Sequence, residues 1–255
     1  MSSLLVPELH RYLTRRTTWI SGIAAVSLLA IVSLFMGLQP NSYNPEIELS
    51  FFGPGMIVLA AALVGAWSYF TSASVIGSEQ SSGALGTWLT FNPQRWRVYL
   101  AKLASVALPA AAVSTVAMGA AIAWSLIVST HSHPSAVAWM LAAGVRGVLV
   151  VVSVAVLGFV IALVTRSTLG ALGVLVGWLV LVVLQAFFST VAIGHWEWIG
   201  LERVLGEFLL NSHSTVHGAL HADPAVIAGA GLLWFGVIAL VVVLGGALFA
   251  GRDVD

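Results

Sequence analysis

The chain has 255 residues, of which 59% are hydrophobic and only 8% charged, whereas about a quarter of the residues of an ordinary soluble domain carry charge. Ten Lys plus Arg balance ten Asp plus Glu, so no global charge points to nucleic acid or to an anionic surface. The absence of cysteine excludes disulfides, thiolate metal sites and cysteine nucleophiles, and ten Trp in so apolar a chain suit anchoring at a membrane interface.

The first element, residues 4–17, predicts an amphipathic helix lying on the inner leaflet. Leu5, Leu9, Tyr12 and Leu13 fall on one face and Glu8, Arg11 and Arg15 on another. Beyond it come six charge-free windows, Trp19 to Leu38, Phe51 to Ile76, Leu103 to Thr130, Gly147 to Thr165, Ser167 to Gly194 and Pro224 to Gly251. Each matches or approaches the length of about 20 residues that a helix needs to cross a hydrocarbon core. The expected spans are residues 19–38, 53–76, 103–129, 138–165, 168–190 and 224–250. Their apolar runs are continuous, whereas barrel strands alternate, so the fold class is all-α: a polytopic six-helix membrane bundle forming a single transmembrane domain over residues 1–255. The first window ends in MGLQP without a small-residue cleavage pattern and reads as a retained span, not a signal peptide.

Between the second and third spans lies the loop 77–102. It sets Glu79, Gly83, Pro93, Arg95, Arg97 and Lys102 around an apolar stretch that includes Leu85, Trp88, Leu89 and Phe91. Those side chains have no reason to face water alone, so a partner surface or the inner headgroup region must take them. In the fourth span, Arg146 lies about 15 Å from the outer end if the helix begins near Ser135. Its guanidinium either reaches back to the headgroups or faces a translocation path. Trp178 and Gln185 of the fifth span can face a cavity or make a polar contact between helices. Small residues such as Gly170 and Gly173, or Gly22, Ala25 and Ala30, suit close helix packing.

The outer loop 191–223 predicts a short interfacial or re-entrant helix, since Trp198, Leu201, Leu205, Phe208 and Leu209 recur at helical spacing. His213, His217 and His221 are spaced by four and would share one face if that stretch were helical. Imidazoles so placed can bind a metal or respond to pH, or serve as polar residues at an aqueous interface; no carboxylate or cysteine pattern completes a metal site. Asp223 followed by Pro224 supplies the cap and first-turn residue of the last span. With the N-terminus inside, eight of the ten Lys and Arg are cytoplasmic, which places both chain ends in the cytoplasm; the expected location is the cell (plasma) membrane of a prokaryote.

The loop pattern, an acidic Glu79, then Gly83, an apolar helix, Pro93, and Arg95 with Lys102 entering the third span, resembles the ABC-2 type permeases, the six-span membrane subunits of ATP-binding-cassette exporters. The resemblance extends to the N-terminal amphipathic helix, the six spans, the long outer loop and the short polar tail GRDVD. It implies that the loop docks a coupling helix onto an ABC ATPase, with Glu79, Gly83, Leu85, Trp88, Leu89, Phe91, Pro93 and Arg95 at the contact. It implies a second permease copy or a paralogue completing the path, in which Arg146, Trp178 and Gln185 are candidates. The chain has one lysine and no GxxxxGK[ST] loop, so ATP and Mg are expected on a separate pair of ATPase subunits and no enzymatic activity or cofactor on this chain. A rhomboid-like protease lacks its GxSG serine here. An ATP-independent ion or metal transporter using the external histidines stays open.

Overall fold

The computed structural model describes residues 2–37, 45–84, 94–128, 134–190, 201–210, 213–214, 220–221 and 223–251. The helices are α1 (Ser2–Leu13), α2 (Arg16–Gly37), α3 (Pro45–Ser81), α4 (Arg95–Val128), α5 (Pro134–Thr165), α6 (Thr168–Thr190), α7 (Leu201–Leu210) and α8 (Pro224–Ala250). One antiparallel pair of two-residue strands, β1 (His213–Ser214) and β2 (Leu220–His221), precedes α8. Among the described residues four helical stretches are long and apolar enough to cross a membrane: Gly53–Ser81, Arg95–Val128, Pro134–Thr165 and Pro224–Ala250. A fifth arises if Leu5–Leu13 and Thr18–Val32, which meet at a 60° bend, count together.

Two helix boundaries differ from the charge-free windows. α3 continues to Ser81, past Glu79, and α4 begins at Arg95, ahead of Lys102. The expected loop 77–102 therefore narrows to the residues between Ser81 and Arg95. A window ends at its first charge, but a helix does not: it accommodates an ionised side chain wherever a counter-charge meets it. The amphipathic helix correspondingly ends at Leu13, short of the expected residue 17.

α3 and α5 form the centre. In their most apolar stretches 67% and 61% of residues are buried, against 22% in α8, whose Leu232, Leu233, Leu240, Val243 and Leu248 are exposed. A face of that kind suits hydrocarbon, and the protein is accordingly membrane-embedded. One core cluster packs Met56, Ile57, Ala60 and Val64 of α3 against Met118 and Ile122 of α4 and Trp139 and Met140 of α5. A second packs Tyr69, Ala73 and Ile76 of α3 with Tyr99 of α4, Phe159 and Leu163 of α5 and Trp234 and Phe249 of α8. Tyr99 joins the helices at this level, its ring 5.8 Å from Phe159 and 5.7 Å from Phe249, while its hydroxyl donates to the Val242 carbonyl at 2.9 Å.

With little water to compete, buried hydroxyls turn back on their own helices. Ser72 Oγ donates to Ser68 O at 2.7 Å, Ser114 Oγ to Ala110 O at 2.6 Å and Ser125 Oγ to Ala121 O at 2.8 Å. Ser153 also accepts from Trp234 Nε1 at 2.8 Å, linking α5 to α8. As expected, Asp223 caps α8, accepting from Ala225 N at 2.9 Å with Pro224 in the first turn.

A close contact between α5 and α3 depends on Gly158 of α5. A Cβ there would stand 2.6 Å from the Tyr69 carbonyl oxygen and 2.7 Å from Ser72 Oγ, so a side chain would have to displace α3 backbone. Gly170 and Gly173 differ: at Gly170 a Cβ would stand 2.9 Å from Thr165 at the end of α5, whereas at Gly173 it would meet nothing within 4 Å. Gly22 does sit at a helix contact, against Trp67 at 3.4 Å. Gly158→Leu is expected to destabilise the fold by about 3 kcal/mol through overpacking, whereas Gly173→Leu should stay within about 0.5 kcal/mol; denaturant unfolding in micelles measures both.

Candidate functional site

Five ionisable side chains from three segments converge where α1 meets the ends of α3 and α4. Lys102 of α4 lies between two carboxylates, donating to Glu79 Oε2 of α3 at 2.6 Å and to Glu8 Oε1 of α1 at 3.0 Å. All three are buried, with Glu79 only 2% exposed. Glu79 Oε1 accepts no hydrogen bond among the described residues; it is held by charge, with Arg11 Nη1 at 3.3 Å and Arg15 Nη2 at 3.9 Å. Arg15 also donates to Ser78 Oγ at 2.9 Å. Burial pulls the Arg15 guanidinium below its ordinary value; Glu79 pulls it back up, Arg11 lowers it further, and Glu8 raises it.

The local sequence explains the convergence. Glu8 and Arg15 are seven residues apart, close to two helical turns, and Tyr12 lies between them, so the three share a side of the α1 segment. That side faces the protein: Glu8 and Tyr12 are buried while Val6 and Leu13 are exposed. Tyr12 donates to Thr71 Oγ1 of α3 at 2.9 Å, and burial pushes its hydroxyl up against the opposing effect of that bond. The expected grouping changes at Tyr12, which shares the buried side with Glu8. The charged side of α1 docks into the bundle because Lys102 and Glu79 offer it counter-charges, and Leu13 is left outside.

Other bonds fasten the same end of the molecule. Gln80 Nε2 donates to Leu163 O of α5 at 3.2 Å. Arg95 Nη1 donates to Ala250 O at 3.1 Å, supplying a cation to the last turn of α8. The helix that ends at Ser81 is closed by Gly83, whose φ of 70° lies in the left-handed region that costs other residues about 1–2 kcal/mol.

The expected site residues do not gather in one place. Glu79 is a member of this cluster, faces inward and offers no exposed contact, while Gly83 follows the end of α3 and Arg95 opens α4. Leu85, Trp88, Leu89, Phe91, Pro93 and His217 lie outside the described residues. Arg146 and Trp178 stand on α5 and α6, away from it in sequence; Arg146 is buried and Trp178 half-buried. Gln185 is in α6, its side chain outside the described ones. His213 and His221 are not on a helix face, because they belong to β1 and β2; there they are direct antiparallel partners. Among the described residues no three His, Asp or Glu side chains gather as a metal site.

Sequence reading missed Glu8, Arg11, Arg15 and Lys102 as site residues. The available signal was Lys102 itself, the only lysine, set at the mouth of an apolar window where an unpaired ammonium is costly. Neither a protein-family model nor a curated protein matches the chain.

Removing one partner of a buried ion pair leaves an uncompensated charge and costs about 3–5 kcal/mol. Lys102→Met is therefore expected to destabilise the protein by about that amount, and Glu8→Gln with Glu79→Gln in the same chain to recover most of the loss. Thermal unfolding in detergent of the single and triple variants checks this.

Proposed function

We propose that the chain is the membrane subunit of an exporter powered by separate ATP-binding-cassette ATPase subunits, with a second permease copy or paralogue completing the translocation path. The observation that carries this reading is the buried ionic cluster. It ties α1 and the ends of α3 and α4 into one rigid base on either side of the short connection between Ser81 and Arg95. A push delivered to that connection passes directly into two long apolar helices and, through Arg95 and Ala250, into a third. In this reading α2, α3, α4, α5, α6 and α8 are six spans, both chain ends are cytoplasmic, and ATP and Mg bind the partner. Glu79 acts from within, holding the helix ends together, while the contact itself falls to the residues of the connection.

Gentle solubilisation of native membranes is expected to copurify an ATPase subunit with this chain; intact transport by the chain alone would overturn the proposal. Arg15→Gln keeps Lys102 between its two carboxylates and loosens only the outer edge of the cluster. It should leave the complex assembled and lower ATP-driven transport roughly fivefold, an effect of about 1 kcal/mol on coupling.

The pairing of His213 with His221 favours one competing reading, an ATP-independent ion or metal transporter. There, replacing His213, His217 and His221 together by Ala abolishes activity and Arg15→Gln changes nothing, the reverse of the exporter's behaviour.

A further inference from the structure

Among the described residues Arg146 is the second buried cation, and its situation is opposite to that of Lys102. It lies about 18 Å along α5 from Pro134, inside a helix about 48 Å long, so it falls within an apolar slab about 30 Å thick centred on that helix. Its relative exposure is 9%. Its Nε and Nη2 atoms have no hydrogen-bond partner, and no carboxylate pairs with it among the described residues.

Those two atoms form one edge of the guanidinium, the side-on fork whose parallel N–H groups match two oxygens of a carboxylate or phosphate. An orphaned edge is a more specific observation than an orphaned charge. Helical spacing puts Arg146 on the side of α5 that carries Val150 and Ser153. Val150 packs with Phe208 of α7 and Ala230 of α8, and Ser153 bonds Trp234 of α8. The strand β2 also packs against α5. The fork thus belongs to the α5 face overlaid by α7 and α8, at a depth where a reach to water along the helix is long.

We propose that Arg146 is an anion-recognition site within the bundle, and that its ligand is an amphiphile bearing a carboxylate or a phosphate group. An anionic head satisfies the fork, and an apolar tail suits the surrounding helix faces. The identification of this ligand as cargo rests on the exporter reading above; the anion site does not.

The test measures binding to the purified full chain in a neutral detergent, without any ATPase, using native mass spectrometry. The probes are dodecyl phosphate, dodecanoate, the zwitterion dodecylphosphocholine and inorganic phosphate. Wild-type protein is expected to bind dodecyl phosphate or dodecanoate about tenfold more tightly than the zwitterion. Arg146→Gln should abolish that preference, and Arg146→Lys, which keeps the charge without the fork, should retain only part of it. Equal preference in wild type and Arg146→Gln overturns the proposal. So does an absence of preference in wild type, a result that needs no variant to fold and that follows if a carboxylate of this chain or a second copy already fills the fork. Inorganic phosphate separates the two parts of the ligand: weak binding supports an amphiphile, and binding as tight as that of dodecyl phosphate overturns it in favour of a soluble anion. Failure to copurify an ATPase removes the exporter reading and leaves this outcome untouched.

Discussion

Lys102 lies between Glu8 and Glu79, and the arrangement of one end of the molecule follows from its need for them. An ammonium removed from water is tolerated only when opposite charge and hydrogen bonds replace its hydration. Here one carboxylate comes from α1 and the other from α3, so satisfying the lysine fixes three helices relative to one another. The two arginines that flank Glu79 then reinforce the attachment of the N-terminal segment from its more exposed side. Such a cluster confers geometry more than net stability, because apolar residues of equal volume can stabilise a buried site as well. Its value lies in specifying which helix ends meet.

The rest of the bundle is governed by steric fit. In a lipid medium helices gain little by hiding apolar surface from one another, so close packing decides which ones associate. Gly158 lets α5 approach α3 until their backbones nearly touch. α4 then fills one side, and α8 is joined through the Tyr99 ring cluster and the Trp234 to Ser153 bond. α8 remains largely uncovered within the chain. The tight centre and the open periphery are both consistent with a solvent that is itself apolar.

Hydropathy made the long apolar helices legible, and the Asp223–Pro224 pair marked the start of α8 to the residue. Charge was less reliable as punctuation. Glu79 and Lys102 ended windows in the sequence, yet both lie inside helices, because each supplies what the other lacks. Periodicity likewise separated the two faces of α1 without saying which would meet protein. That choice depended on a lysine and a glutamate distant in the chain, information that no local pattern contains. The glycines show the same limit: Gly158 and Gly173 are alike in sequence, but only one faces another backbone.

Comparing the two buried cations distinguishes a structural charge from one available for binding. Lys102 has both carboxylates within hydrogen-bond distance, and its surroundings are complete without a ligand. Arg146 retains the guanidinium edge best shaped for an oxyanion, unpartnered among the described residues. A cation in an apolar span is expensive, so its persistence there calls for a compensating interaction. At Lys102 that interaction is intramolecular and holds helices in place. At Arg146 the chemistry that completes the site is an anion arriving from elsewhere, and the cost of leaving the fork empty gives such a ligand a driving force to enter an otherwise apolar interior.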